Sequence, residues 1–138
     1  MNPGLRLESL RKTMREHGVD ACVVPTSDPH LSEYLPDRWQ GREWLSGFAG
    51  SAGTLVVCHD TAGLWTDSRY WEQAEAELAG SGIALMKAGQ TDTPTPSEWA
   101  SGRVQKGGAV AIDGQVLSVQ SARQWQEACR AAGLRLAL

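Results

Sequence analysis

No run of apolar residues in this 138-residue chain approaches the roughly 20 needed to span a bilayer. Met1 to Leu10 lacks the charged-then-apolar arrangement of a secretory signal. Both absences make the cytoplasm the expected compartment and leave no membrane partner to propose. Cysteine is scarce: Cys22, Cys58 and Cys129 are odd in number, widely spaced, and without zinc-ligand spacing. Cys22 and Cys58 lie inside apolar runs, so free, buried thiols are expected. A basic face is also missing. With a net charge of −3 the chain lacks the concentrated positive charge that offsets phosphate, which excludes a nucleic-acid binder. Arg11, Lys12 and Arg15 read as the solvated side of a helix. There is no internal repeat and no linker. The length suits one domain that buries about two-thirds of its unfolded surface.

Helix and strand signals alternate along most of the chain. Asn2-Pro3 is an N-cap followed by proline at the first helical position, and Leu7, Leu10 and Met14 then recur at helical spacing up to Gly18. Ala21 to Val24 is apolar throughout, as expected of a strand in the middle of a sheet covered on both sides. Thr26 to Pro36 is a turn region rich in breakers, and Asp37 to Leu45 reads as a helix. Thr54–Cys58 and Gly63–Thr66 form a hairpin across His59-Asp60-Thr61-Ala62. Asp67 caps a helix to Leu78 with Trp71, Ala74 and Leu78 inward. Ile83–Met86 and Ala109–Ile112 are strands. Pro96–Ser101 is a short helix anchored by Trp99. Ser118 caps a helix to Ala132 with Val119, Ala122, Trp125 and Cys129 inward, and Leu134–Leu138 is a last strand. Because that strand carries no polar tail, the expectation is a piece cut from a longer polypeptide. The fold expected is an α/β three-layer sandwich: a mixed, mostly parallel sheet of about six strands with one antiparallel hairpin, and helices on both faces.

The patterns of known catalytic sites are approached but not completed. Ala49-Gly50-Ser51-Ala52-Gly53 resembles a nucleophile elbow, yet alanine replaces the first glycine and a strand follows where a helix is required. A phosphate loop needs lysine and then serine or threonine after its last glycine, and Gly53 is followed by Thr54-Leu55. His17, His30 and His59 are dispersed, and His30 with Glu33 supplies only two ligands, so no metal site is expected. Asp67 is foremost an N-cap. Arg69 and Tyr70 stand where a strand runs into a helix, a corner suited to meeting a ligand or partner. Six tryptophans are many for this length. Trp65, Trp71 and Trp125 suit a core, whereas Trp39, Trp44 and Trp99 adjoin loops and hint at a partner surface.

Four segments carry a family resemblance: Ser27-Asp28-Pro29-His30-Leu31-Ser32-Glu33-Tyr34, Trp44 to Gly53, Leu64-Trp65-Thr66-Asp67-Ser68-Arg69-Tyr70, and Leu85 to Thr95. In this order and spacing they resemble the creatinase/prolidase-like N-terminal domain of the long, three-domain Xaa-Pro aminopeptidases (aminopeptidase P), over Leu5 to the end. Ser68 stands where that family usually has glycine. The resemblance implies a parent hydrolase that removes the residue preceding proline at a peptide's N-terminus. It implies two manganese ions held in a C-terminal pita-bread catalytic domain that is not in this chain, and no cofactor or catalytic residue within residues 1–138. This domain would then be inactive alone, would shape substrate access and assembly, and would have its own catalytic domain, a second subunit and the peptide as partners. Asp67, Arg69 and Tyr70 are the candidates for substrate access or interface. The competing expectation is a stand-alone ligand-binding or regulatory module on the same fold.

Overall fold

The computed structural model describes residues 3–25, 45–48, 53–112 and 118–137. Its elements are α1 (Pro3–Glu16), β1 (Ala21–Pro25), β2 (Thr54–Cys58), β3 (Ala62–Thr66), a 3-10 turn (Ser68–Tyr70), α2 (Trp71–Leu78), β4 (Ala84–Lys87), α3 (Pro96–Arg103), β5 (Ala109–Ile112), α4 (Val119–Ala132) and β6 (Arg135–Ala137). The strands form one sheet in the order β4-β3-β2-β1-β5-β6. β1 lies in its interior, as its apolar run requires. The β2–β3 hairpin is antiparallel, with Thr54 opposite Trp65. β2 is also antiparallel to β1, pairing Pro25 with Thr54. The sheet therefore holds a second antiparallel pairing besides the expected hairpin, because the chain returns to β2 at the end of the sheet where β1 stops. The other pairings, β3–β4, β1–β5 and β5–β6, are parallel.

Strand alternation sends side chains into two cores, one on each face. Val23, Val56, Trp65, Val110 and Ile112 pack on one face with Trp99 and Val104 of the α3 region and Trp125 and Cys129 of α4. Leu55, Val57 and Leu64 pack on the other with Leu7 and Met14 of α1, Ala74 and Leu78 of α2, and Phe48. Every residue of β3 is buried, as a strand covered on both sides demands. The layered α/β architecture expected from the alternation is thus present.

Local signals act where the sequence puts them. Thr95 and Glu98 form a reciprocal capping box with Pro96 in the first turn of α3. The Ser118 side chain accepts from Ser121 N. Gly133 ends α4 in the left-handed conformation at φ 74°, the C-terminal stop that glycine alone makes without strain. Three details depart from expectation. Val119 is 69% exposed and faces solvent, because α4 turns Trp125 and Cys129 inward. Trp99 is in the core, its ring edge-on to Trp65 at 5.3 Å and 76°. Asp67 caps the 3-10 turn, and α2 begins only at Trp71. Of the helix expected over 37–45 only Leu45 is described, and it is buried. Trp39 and Trp44 lie outside the described residues.

The cysteines are free, with Cys58 and Cys129 buried and Cys22 partly so. Burial raises all three thiol pKa values, because a thiolate in an apolar layer loses its hydration.

Candidate functional site: the Asp67–Tyr70 corner

Among the described residues five of the six strands run in one direction, and β2 runs against them. One end of the sheet therefore collects the C-terminal ends of β1, β3, β4 and β5 together with the start of β2. The connection carrying Ser27–Tyr34 and Trp44–Gly53 leaves Pro25 and re-enters at Thr54 on that end. Asp67–Tyr70 follows Thr66 there, and Ala88–Thr95 follows Lys87. Leu64–Tyr70 and Leu85–Thr95 thus both reach the end of the sheet where ligands gather in open α/β sheets.

The corner itself is ordered by short polar contacts. Asp67 Oδ1 accepts from Arg69 N at 3.0 Å and from Arg69 Nε at 2.9 Å, while Asp67 Oδ2 accepts from Arg69 Nη2 at 2.9 Å. The two-pronged pairing fixes the guanidinium plane. It lies 5.1 Å from the centroid of the Tyr70 ring, and Tyr70 stands edge-on to the buried Phe48 at 6.0 Å and 79°. Behind them Trp71 Nε1 donates to Thr66 O at 2.8 Å, and the Lys87 ammonium lies 5.4 Å over the Trp71 ring. Asp67 and Arg69 remain solvent-accessible. Ser68, in place of glycine, opens a right-handed 3-10 turn, a backbone that any residue adopts.

The Arg69 guanidinium holds the Asp67 carboxyl below the usual aspartate range, chiefly through its side-chain hydrogen bonds. A depressed pKa means that the pairing is intact above the unfolded value and is lost as pH falls through the folded one. Side-chain carboxyl NMR should show Asp67 titrating below an ordinary aspartate, and Arg69→Gln should return it toward the ordinary range. An unchanged midpoint in that variant would show that Arg69 is not the cause.

At the opposite end of the sheet His59, regarded in the sequence only as a scattered histidine, pairs with Asp20 at 3.1 Å. No local signal marks this pair, since the two residues are 39 positions apart. His30, Glu33 and the Ala49–Ala52 stretch lie outside the described residues. Among the described residues no three His, Cys, Asp or Glu side chains come together to hold a metal ion. No described helix is long and apolar enough to cross a membrane.

The sequence profile of the Creatinase/Prolidase N-terminal domain matches residues 6–136. The chain belongs to that family. Two curated relatives show what this creatinase/prolidase N-terminal domain resembles. It is 44% identical over 124 residues to aminopeptidase P2 of Arabidopsis thaliana, covering 88% of this chain and 17% of the relative. It is 44% identical over 128 residues to a probable Xaa-Pro aminopeptidase P of Pyricularia oryzae, covering 93% of this chain and 21% of the relative. The chain thus spans about a fifth of the length of these relatives. Among solved structures, X-prolyl aminopeptidase from Caenorhabditis elegans, described as a cytosolic enzyme with a dinuclear active site, superimposes with a TM-score of 0.91 at 32% identity. That match covers 99% of this chain and 24% of the enzyme. The N-terminal, creatinase/prolidase-like domain of a metallopeptidase from Corynebacterium diphtheriae shares the fold at a TM-score of 0.73 and 20% identity, and is covered over 95% of its length. This creatinase/prolidase domain is therefore an N-terminal domain of the kind found in Xaa-Pro aminopeptidases and prolidases. The dinuclear centre described for the nematode enzyme finds no matching ligand set among the described residues here.

Proposed function

We propose that residues 1–138 form a single non-catalytic domain of a cytoplasmic Xaa-Pro aminopeptidase, and that the Asp67–Tyr70 corner borders the route by which peptide reaches a catalytic domain supplied by other polypeptide. The observation that carries this reading is that the Asp67–Tyr70 corner and the start of the Ala88–Thr95 loop stand at the same end of the sheet, where β1 stops and β2 begins. The chain's span of about a fifth of its relatives supports it. The parent reaction would be hydrolysis of the bond between a peptide's first residue and a following proline. Its two metal ions, manganese by family resemblance, would be held outside this chain. Within the chain, Asp67 would keep the Arg69 guanidinium aimed and Tyr70 would cover its flank. That rim would narrow access or seat a neighbouring subunit.

Two measurements test this. The isolated chain, supplied with manganese and an Xaa-Pro peptide, should show no turnover, and turnover at an enzyme-like rate would refute the non-catalytic assignment. In the whole enzyme, Arg69→Ala should raise KM or weaken subunit association. The loss of a charge-assisted hydrogen bond of about 1.5–3 kcal/mol corresponds to about tenfold or more in affinity. Unchanged kinetics together with an unchanged oligomer would remove Arg69 from the rim.

A further inference from the structure

A polar cleft of about 610 Å³ opens at the end of the sheet opposite the Arg69 corner. Its walls come from three turns. Asp20 precedes β1, His59 and Asp60 join β2 to β3, and Val104 to Gly108, after Arg103 at the end of α3, join α3 to β5. The volume is within the range of small-molecule sites, about 300–1,000 Å³.

The two cations of this cleft are packed along other groups of the fold. Arg103 stacks on the Trp99 ring with its guanidinium 4.3 Å from the centroid. The Lys106 stem crosses Gly133 so closely that a Cβ there would lie 2.8 Å from Lys106 Cγ. Asp20 is fully engaged: Oδ1 meets His59 Nε2 at 3.1 Å and Oδ2 accepts from Ala109 N at 3.0 Å. Arg103, Lys106 and Asp60 make no ion pair with any described residue. Arg103 ends α3 and Lys106 lies in the turn after it, while Asp60 comes from the β2–β3 turn.

A simple anion would leave Asp60 without a partner and repel it. A simple cation would meet Arg103 and Lys106. A small ligand carrying both charges satisfies both walls. We infer that this cleft binds a zwitterionic α-amino acid, with its carboxylate on Arg103 and Lys106 and its ammonium on Asp60. The inference is independent of the proposed peptidase role, since it concerns the other end of the sheet and needs no catalytic domain.

The test is a backbone-amide NMR titration of the 138-residue chain with glycine. Parallel arms use N-acetylglycine, which lacks the ammonium, glycinamide, which lacks the carboxylate, and inorganic phosphate. Glycine should give saturable shifts at His59, Asp60 and Gln105 to Ala109. Losing either charge, in the ligand or through Arg103→Gln or Asp60→Asn, should weaken binding about tenfold, the equivalent of one charge-assisted hydrogen bond. Arg103→Lys should retain part of the affinity, and Lys12→Gln on α1 should change nothing. Each variant's amide spectrum shows whether it is folded. No saturable shift as glycine approaches its solubility would overturn the inference. So would phosphate or N-acetylglycine matching glycine, or glycine binding unchanged by Asp60→Asn.

Discussion

Trp65→Ala should lower the unfolding free energy by about 3–5 kcal/mol, read as a drop in the urea midpoint with little change in slope. Trp65 is buried in the middle of β3, on the face covered by α3 and α4. Its ring meets Trp99 edge-on, and its Nε1 donates to Pro94 O at 2.8 Å. The substitution thus removes a large apolar surface, an aromatic pair and the hydrogen bond that ties Pro94 O, in the loop entering α3, to the core. Gly63 beside it has no side chain to fill the vacancy, and the ring covers it so closely that a Cβ there would lie 2.9 Å from Trp65 Cζ3. A loss below about 1 kcal/mol would mean that the two cores are not closely packed, contrary to the density expected of protein interiors.

Phe48→Ala should cost a similar amount, about 3–5 kcal/mol, and should also be felt at the candidate site. Phe48 is completely buried, and its backbone N donates to the buried Ser46 Oγ at 3.1 Å. Its ring is the surface against which Tyr70 stands edge-on. Removing it deprives Tyr70 of that wall, and Tyr70 is what the Arg69 guanidinium lies over. Besides the lower midpoint, the Tyr70 ring resonances should therefore shift toward free-tyrosine values. The Asp67 titration should stay depressed, because the two-pronged contact with Arg69 does not run through Phe48. A Tyr70 spectrum indifferent to the substitution would break the proposed link between core and corner.

Much of the architecture was legible because it rests on local chemistry. The Ser118 cap, the Gly133 stop and the Leu7–Met14 stripe act over one or two turns, within reach of a reading of spacing alone. The apolar run of β1 announced an interior strand. Misreadings came where tertiary packing chose between equivalent local options. Val119 was apolar and near the inner stripe, but the rotation of α4 is set by Trp125 and Cys129, which turn Val119 outward. Trp99 adjoined a loop, yet only its partner Trp65, 34 residues away, makes it a core residue. The orientation of β2 depended on a long connection whose path no local signal specifies.

The corner was half legible. The turn from strand to helix placed Asp67, Arg69 and Tyr70 together, since they are neighbours in sequence. That Asp67 grips the Arg69 guanidinium, and that Phe48 backs Tyr70, required the folded chain. The Asp20–His59 pair and the cleft around it had no signal at all, because their residues come from three turns between 20 and 108.

Composition and pattern by themselves determined that this chain builds an alternating α/β layer structure with an apolar interior strand, capped helices and buried thiols, since each follows from periodicity, capping and hydration within a few residues. Tertiary structure alone decided which distant turns share an edge of the sheet, which tryptophans face each other, and where charges are left opposite one another without pairing. Those outcomes depend on strand direction and register, and both are set by the burial of whole faces rather than by any one segment.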